Sequence, residues 1–205
     1  MIDWLLFIPA CFALNLAFGP NNLLAMTHGA NGGICFAQQA ACGRLLAFVP
    51  MIGVSALGLG VILTASAAAF TAVKWLGAGY LIWLGISLWR SAPGAAMRRS
   101  EGRRLTRGQA FRSEAVVAIS NPKAILIFAA FFPQFVAVDA YWQSYALLGA
   151  AFLVLEAVAI AIYATFGCFA SKYAAARLPT LQRASGGTMI LFGLLLLVSP
   201  APSRS

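Results

Sequence analysis

Residues 119–135 read Ile-Ser-Asn-Pro-Lys-Ala-Ile-Leu-Ile-Phe-Ala-Ala-Phe-Phe-Pro-Gln-Phe. An asparagine, a proline and a lysine stand together at the head of an otherwise apolar run. A buried helix in a water-soluble bundle gains nothing from that cluster, so its meaning depends on the solvent around it. Of the 205 residues, 61% are hydrophobic and only 9% charged, against about 25% charged in an ordinary soluble domain. That leaves too little polar surface to hold the chain in water, and the lipid bilayer is the expected solvent.

Six apolar segments read as spans, at 4–26, 41–66, 72–90, 115–137, 144–168 and 185–199. Each approaches the roughly 20 residues that cross the hydrocarbon at about 1.5 Å per residue. The expected fold class is an all-α integral membrane protein with six transmembrane helices. The formal net charge of +9 could suggest nucleic acid, but its distribution argues otherwise. Arg90, Arg98, Arg99, Arg103, Arg104, Arg107 and Arg112 crowd one connection. A basic block of that kind marks a cytoplasmic loop, and no nucleic-acid partner is expected. The N-terminal Met-Ile-Asp-Trp lacks the basic region of a secretory signal, so the first run reads as a retained helix.

With the basic loop inside, spans one to three begin outside and spans four to six begin inside. Both termini are then extracytoplasmic. Two three-helix halves of opposite polarity form an inverted repeat, the plan of many secondary transporters. The organisation is 1–90 as the first repeat, 91–114 as the basic cytoplasmic loop and 115–205 as the second repeat. A second mark of this symmetry is that the first helix of each half carries an Asn-flanked proline: Gly19-Pro20-Asn21-Asn22 and Asn121-Pro122-Lys123.

Proline removes an N–H and clashes with the carbonyl four residues earlier. In lipid the carbonyls it frees need partners from side chains, water or ligand. Asn21, Asn22 and Asn121 suit this, because each amide both donates and accepts. Unwound backbone beside a half-helix N-terminus offers donors to a carboxylate and carbonyls to a cation, which matches a zwitterionic amino acid. The plainer reading is a packing kink, and Pro9 and Pro50, which lack such neighbours, are read that way.

Glu156 is the one acid deep in a predicted span. Charge at that depth costs at least about 2.5 kcal/mol, so an ionisable group there reads as functional, here a proton carrier. The alternative is a structural pair with Lys123 or Arg44. Lys123 and Arg44 lie near the cytoplasmic ends of their spans, where either could snorkel to the interface. His28 reads as a loop residue. Gly53-Val-Ser55 lacks the second glycine of a nucleophile motif, and no enzyme is expected. Ala56, Gly60, Gly77, Gly79 and Gly85 read as close-packing positions. Cys11, Cys35, Cys42 and Cys168 lack metal or disulfide spacing, so neither a metal nor a cofactor is expected.

Gly19-Pro-Asn-Asn-Leu-Leu24, the block from Val73 to Arg90, Asn121-Pro-Lys-Ala with Phe132-Pro-Gln-Phe135, and Ser185-Gly-Gly with Gly193 together resemble the LysE/RhtB amino-acid exporter family. The resemblance runs in order along essentially the whole chain. It implies export of amino acids or related metabolites across the bacterial inner membrane, driven by an ion gradient. The family's first-helix motif falls on Gly19, Pro20 and Asn21, its fourth-helix motif on Asn121, Pro122 and Lys123, and Glu156 falls where the family often has an acid. These motif residues, with Asn22 from the reading above, are the expected substrate-binding or gating residues, and Glu156 is the expected proton-coupling residue. The expected partners are a small-molecule substrate (an amino acid), the lipid bilayer and, as an open alternative, a second copy in a homodimer. Phe18 stands where the family has a further proline, and an acid common in its second helix is missing from Arg44–Pro50, which favours neutral substrates. The alternatives are a metal-ion or other inorganic-ion exporter on the same plan, or a non-transporting membrane subunit.

Overall fold

The structure is a computed structural model that describes residues 2–65, 67–90 and 105–169, with residues 180, 183–184, 186–187, 190–191, 193–195 and 197–198. Most of the expected basic loop and much of the sixth span lie outside these residues. The described helices are α1 (Trp4–Leu16), α2 (Pro20–Ala65), α3 (Ala67–Arg90), α4 (Arg107–Ser120), α5 (Pro122–Leu126) and α6 (Tyr141–Phe169). A π turn at Ile127–Phe131 and a 3-10 turn at Phe132–Phe135 continue α5. Pro9 and Pro50 sit inside α1 and α2 without ending them.

The chain reverses within α2. Gly33 has φ 82 and ψ 173, a backbone state open to glycine and strained for residues with a Cβ. A straight helix would hold Arg44 about 33 Å from Asn22, yet Arg44 Nη1 donates to Asn22 Oδ1 at 3.2 Å. Residues 20–32 and 34–65 are therefore two arms of a hairpin. α4 begins at Arg107, inside the stretch expected to be loop. Thr106 accepts from Gln109 N at 3.3 Å while the Gln109 side chain accepts from Thr106 N at 3.0 Å. This reciprocal cap starts the helix.

Paired contacts set the helix directions. Along arm 34–65, Arg44 meets Glu156, Ile52 lies against Gly149, and Ala56 accepts from Tyr141 of α6; the two run antiparallel. The same arm meets Glu114 at Arg44 and Phe128 at Ser55, so α4 and its continuation run parallel to it. Glycines permit this closeness. A Cβ on Gly43 would come within 2.2 Å of Phe111 O, and one on Gly167 within 1.9 Å of Met26 O.

The surface is apolar and the interior holds charge. Leu5 is 92%, Val54 69% and Phe169 78% exposed, whereas Arg44 and Glu114 are 0% exposed. That inversion fits lipid as solvent. Among the described residues, two stretches have the length and apolar composition to cross a membrane, Pro20–Gly58, which contains the reversal at Gly33, and Val138–Phe169. A third span results if Arg107–Ser120 and Lys123–Phe135, bent by 53°, count as one. Phe7, Phe48, Phe128, Phe132 and Phe152 fill the bundle on the α1 N-terminal side, with Phe128 and Phe152 edge to face at 4.9 Å.

Candidate functional site

The first expected span is broken. α1 stops at Leu16, the chain leaves the helix over residues 17–19, and a new helix starts at Pro20, whose missing N–H costs nothing at a first helical position. The fourth expected span breaks in the same manner. Asn121 is extended (ψ 109), as a residue before proline tends to be, and its side chain accepts from Lys123 N at 3.0 Å to cap α5. The two breaks meet: Asn121 Nδ2 donates to Asn21 Oδ1 at 2.7 Å.

A helix end leaves its last four carbonyls without helical partners, and in apolar surroundings each needs a donor. At the end of α1 all four find one. Lys123 Nζ donates to Leu14 O at 3.3 Å and Ala17 O at 2.8 Å. Asn22 Nδ2 donates to Asn15 O at 2.8 Å and Ala17 O at 3.0 Å. Tyr163 Oη donates to Leu16 O at 2.7 Å. Gly19 lies beside the lysine, and a Cβ there would meet Lys123 Nζ at 3.7 Å, an ordinary contact. Pro20 is exposed, while Gly19, Asn21, Asn22, Asn121, Lys123 and Glu156 are buried.

A second layer of charge lies beside the breaks. Arg44 Nη1 donates to Glu156 Oε1 at 2.9 Å, and Arg44 Nε and Nη2 reach Glu114 Oε2 at 2.9 and 2.8 Å. Nη2 also donates to the Asn21 carbonyl, and Asn21 Nδ2 donates to Glu114 O at 3.3 Å. Two cations, Arg44 and Lys123, thus face two carboxylates, a balance that low-dielectric burial demands. Of the residues the sequence singled out, Asn21, Asn22, Asn121, Lys123, Arg44 and Glu156 come together here.

Three expectations change. Arg44 does not snorkel; it is the largest fully buried side chain, because two carboxylates supply in the interior what water would supply at the interface. Glu156 is not alone, since Glu114, one residue before the fourth expected span, is also 0% exposed. His28 is not a loop residue. It is 3% exposed on the first arm of α2, with Nε2 3.7 Å from Glu114 Oε1. The capping pair Thr106 and Gln109 is the sequence signal that could have placed Glu114 on a helix, two turns in.

Between the layers lies a small cavity of roughly 10 Å³, bounded by Asn15, Asn21, Asn121, Lys123, Phe152 and Glu156 among others. That is about the room for one water. Asn15 Oδ1 is buried without a hydrogen-bond partner among the described residues. Ser55 donates to the Phe128 carbonyl of the π turn, and His28 Nε2 faces Glu114 Oε1 at 3.7 Å rather than Ser55, so the two do not form a nucleophile–base pair. No group of three or more His, Cys, Asp and Glu that could hold a metal occurs among the described residues.

The family described as LysE type translocator matches residues 12–200. The chain is 33% identical to a homoserine/homoserine lactone efflux protein of Salmonella typhimurium, over 94% of this chain and 95% of that protein. It is 34% identical to an uncharacterized membrane protein of Pseudomonas aeruginosa, over 86% of this chain and 83% of that one. A leucine efflux protein of Salmonella choleraesuis is 30% identical over 67% of this chain and 64% of its own length. No solved structure matches.

Proposed function

The chain belongs to the LysE type translocator family and is a membrane transporter; on that premise we propose that it exports a small neutral amino acid or a close derivative across the bacterial inner membrane by proton antiport. The observation that carries the reading is the meeting of two proline-broken helices, Asn121 on Asn21, around a small cavity lined by Asn15, Lys123 and Glu156 in an otherwise apolar bundle. Relatives named for homoserine and leucine efflux point to substrates without side-chain charge.

The lining suits a zwitterion. Lys123 gives protons to two carbonyls, and an ammonium has three; the third serves a substrate carboxylate. The unpartnered Asn15 Oδ1 and the Glu156 carboxylate serve the substrate ammonium. Arg44 is held by Glu114 and Glu156, so no uncompensated charge is left for a charged side chain. Protonation of Glu156 and ammonium binding to it exclude one another, which is the condition for antiport. The cavity is too small for an amino acid, so the helices must part along the breaks to admit one.

The six-span inverted repeat and the outward placement of both termini belong to the same proposal. Its support is the matching of the breaks, one per half, and the depth of the site. Arg44 lies eleven residues past Gly33, about 16 Å along the arm, half the roughly 30 Å hydrocarbon thickness. To test it, cells with and without the protein are loaded with a panel of dipeptides and the amino acids released are quantified by mass spectrometry. Faster release of one or a few neutral amino acids, slowed when the proton gradient is collapsed, is the expected result. Equal release across the panel, with the protein in the membrane, refutes it.

A further inference from the structure

Two buried polar atoms without hydrogen-bond partners among the described residues face each other: His28 Nε2 and Glu114 Oε1, 3.7 Å apart. Leaving a buried polar group unpaired costs about 1–3 kcal/mol, and two in opposition are not an accident of packing. Here a shift of less than an ångström and one proton would join them. The other Glu114 oxygen is saturated by Arg44 Nε and Nη2, with Asn21 Nδ2 at 3.5 Å. A proton arriving at Glu114 thus has one free oxygen to occupy, the one aimed at His28.

His28 lies on the side of Glu114 away from Arg44's other partner. It packs edge-on to Phe36, ring centroids 5.7 Å apart, across the hairpin. Two residues on, Ala30 is exposed, as are Asn31 and Gly32 before the turn at Gly33. The imidazole therefore stands between the face bearing this turn and the buried carboxylate.

We propose that His28 and Glu114 form a second proton site, opening toward the Gly33 turn and separated from Glu156 by Arg44. The inference rests on the antiport reading for its role in transport, though not for its existence. A proton from water at the turn binds the imidazole and passes to Glu114 Oε1, and it leaves by the reverse path. Arg44 does not pass it on, because a guanidinium stays charged. It passes charge instead: a protonated Glu114 releases its hold and leaves Arg44 to Glu156, and a protonated Glu156 does the converse. The charged groups facing this site are Arg44 from the second arm, Glu156 from α6 beyond that guanidinium, and Lys123 from α5 across the Asn21–Asn121 contact.

The site can be read without transport. The purified full-length protein in lipid nanodiscs is titrated from neutral to acid pH by infrared difference spectroscopy, following the C=O stretch of protonated carboxyl groups. A band is expected that disappears in Glu114→Gln, persists in Glu156→Gln, and has its midpoint moved by about one pH unit, tenfold in proton affinity, in His28→Asn. A midpoint unchanged in His28→Asn overturns the proposal, as does a spectrum unchanged in Glu114→Gln. His28→Asn leaves both Arg44 ion pairs in place, so it decides the matter even if Glu114→Gln does not fold. In liposomes with L-homoserine as probe, His28→Asn should keep exchange of labelled for unlabelled homoserine but lose at least about tenfold of pH-driven movement. An undiminished gradient response refutes the coupling role. Failure of the wild type to move homoserine in either mode counts against the export reading alone, because the infrared titration stands on its own.

Discussion

Arg44 decides the character of the interior. It holds Glu114 and Glu156 at once, so removing it strands two carboxylates where water cannot reach. Breaking a buried pair by deleting one partner costs about 3–5 kcal/mol, whereas replacing a whole ionic group by apolar or neutral residues is often near neutral. Arg44→Met is therefore expected to lower the unfolding temperature sharply in detergent. The triple change Arg44→Met, Glu114→Gln, Glu156→Gln should regain most of the loss while remaining inactive. A triple variant no more stable than the single one would show that the guanidinium's bond to the Asn21 carbonyl, and not its ion pairs, governs folding. Arg44→Lys should rescue poorly, since one ammonium cannot reproduce the fork that spans two carboxylates.

At the scale of elements, each break is a cap as well as a proline. Pro122 occupies a first-turn position that any residue fills at little cost, so Pro122→Ala alone should leave the fold and most turnover intact. Asn121 does more: it caps α5 and binds Asn21, and losing such a cap costs about 0.5–2 kcal/mol. Asn121→Ala with Pro122→Ala should fuse α4 and α5 into one helix and abolish export. Export at the wild-type rate would reduce the break to packing. A separate expectation concerns the seam between α6 and the first arm of α2. Gly167→Ala would drive a Cβ to 1.9 Å from the Met26 carbonyl, an overpacking of about 1–3 kcal/mol; thermal unfolding that matches the wild type would sink it. The breaks were legible in sequence because proline and asparagine act on their own neighbours. The partners were not. Glu114 follows a run of loop arginines and reads as solvated, and only the Thr106–Gln109 cap betrays the helix that carries it inward. His28 sits beside Gly29 and close to Gly32 and Gly33, a composition that reads as loop although only Gly33 turns.

At the scale of the molecule, orientation follows from lengths and from charge. Gly33 and Ala56 bound the part of the arm that matters: about 35 Å apart along the helix, they lie near opposite faces of a roughly 30 Å hydrocarbon layer. Ala30 belongs to the first face. Val138, three residues before Tyr141 and 62% exposed, belongs to the second, because Tyr141 donates to the Ala56 carbonyl. α4 starts at Arg107 and runs parallel to the arm, with Phe111 beside Gly43, so its N-terminal end points toward the Gly33 turn. On the proposed reading Arg107 and the Gly33 turn lie toward the same face, and the excess of arginine in the sequence around it makes that face the cytoplasmic one. In a variant freed of Cys11, Cys35, Cys42 and Cys168, a cysteine placed by Ala30→Cys should react with a membrane-impermeant maleimide only in inside-out vesicles. One placed by Val138→Cys should react only in intact spheroplasts. The reverse pattern would turn the molecule over, put His28 and Glu114 on the outer face and make Glu156 the inner of the two acids. Labelling of both positions from one side would be worse for the reading, because the arm from Gly33 to Ala56 would then not cross the membrane.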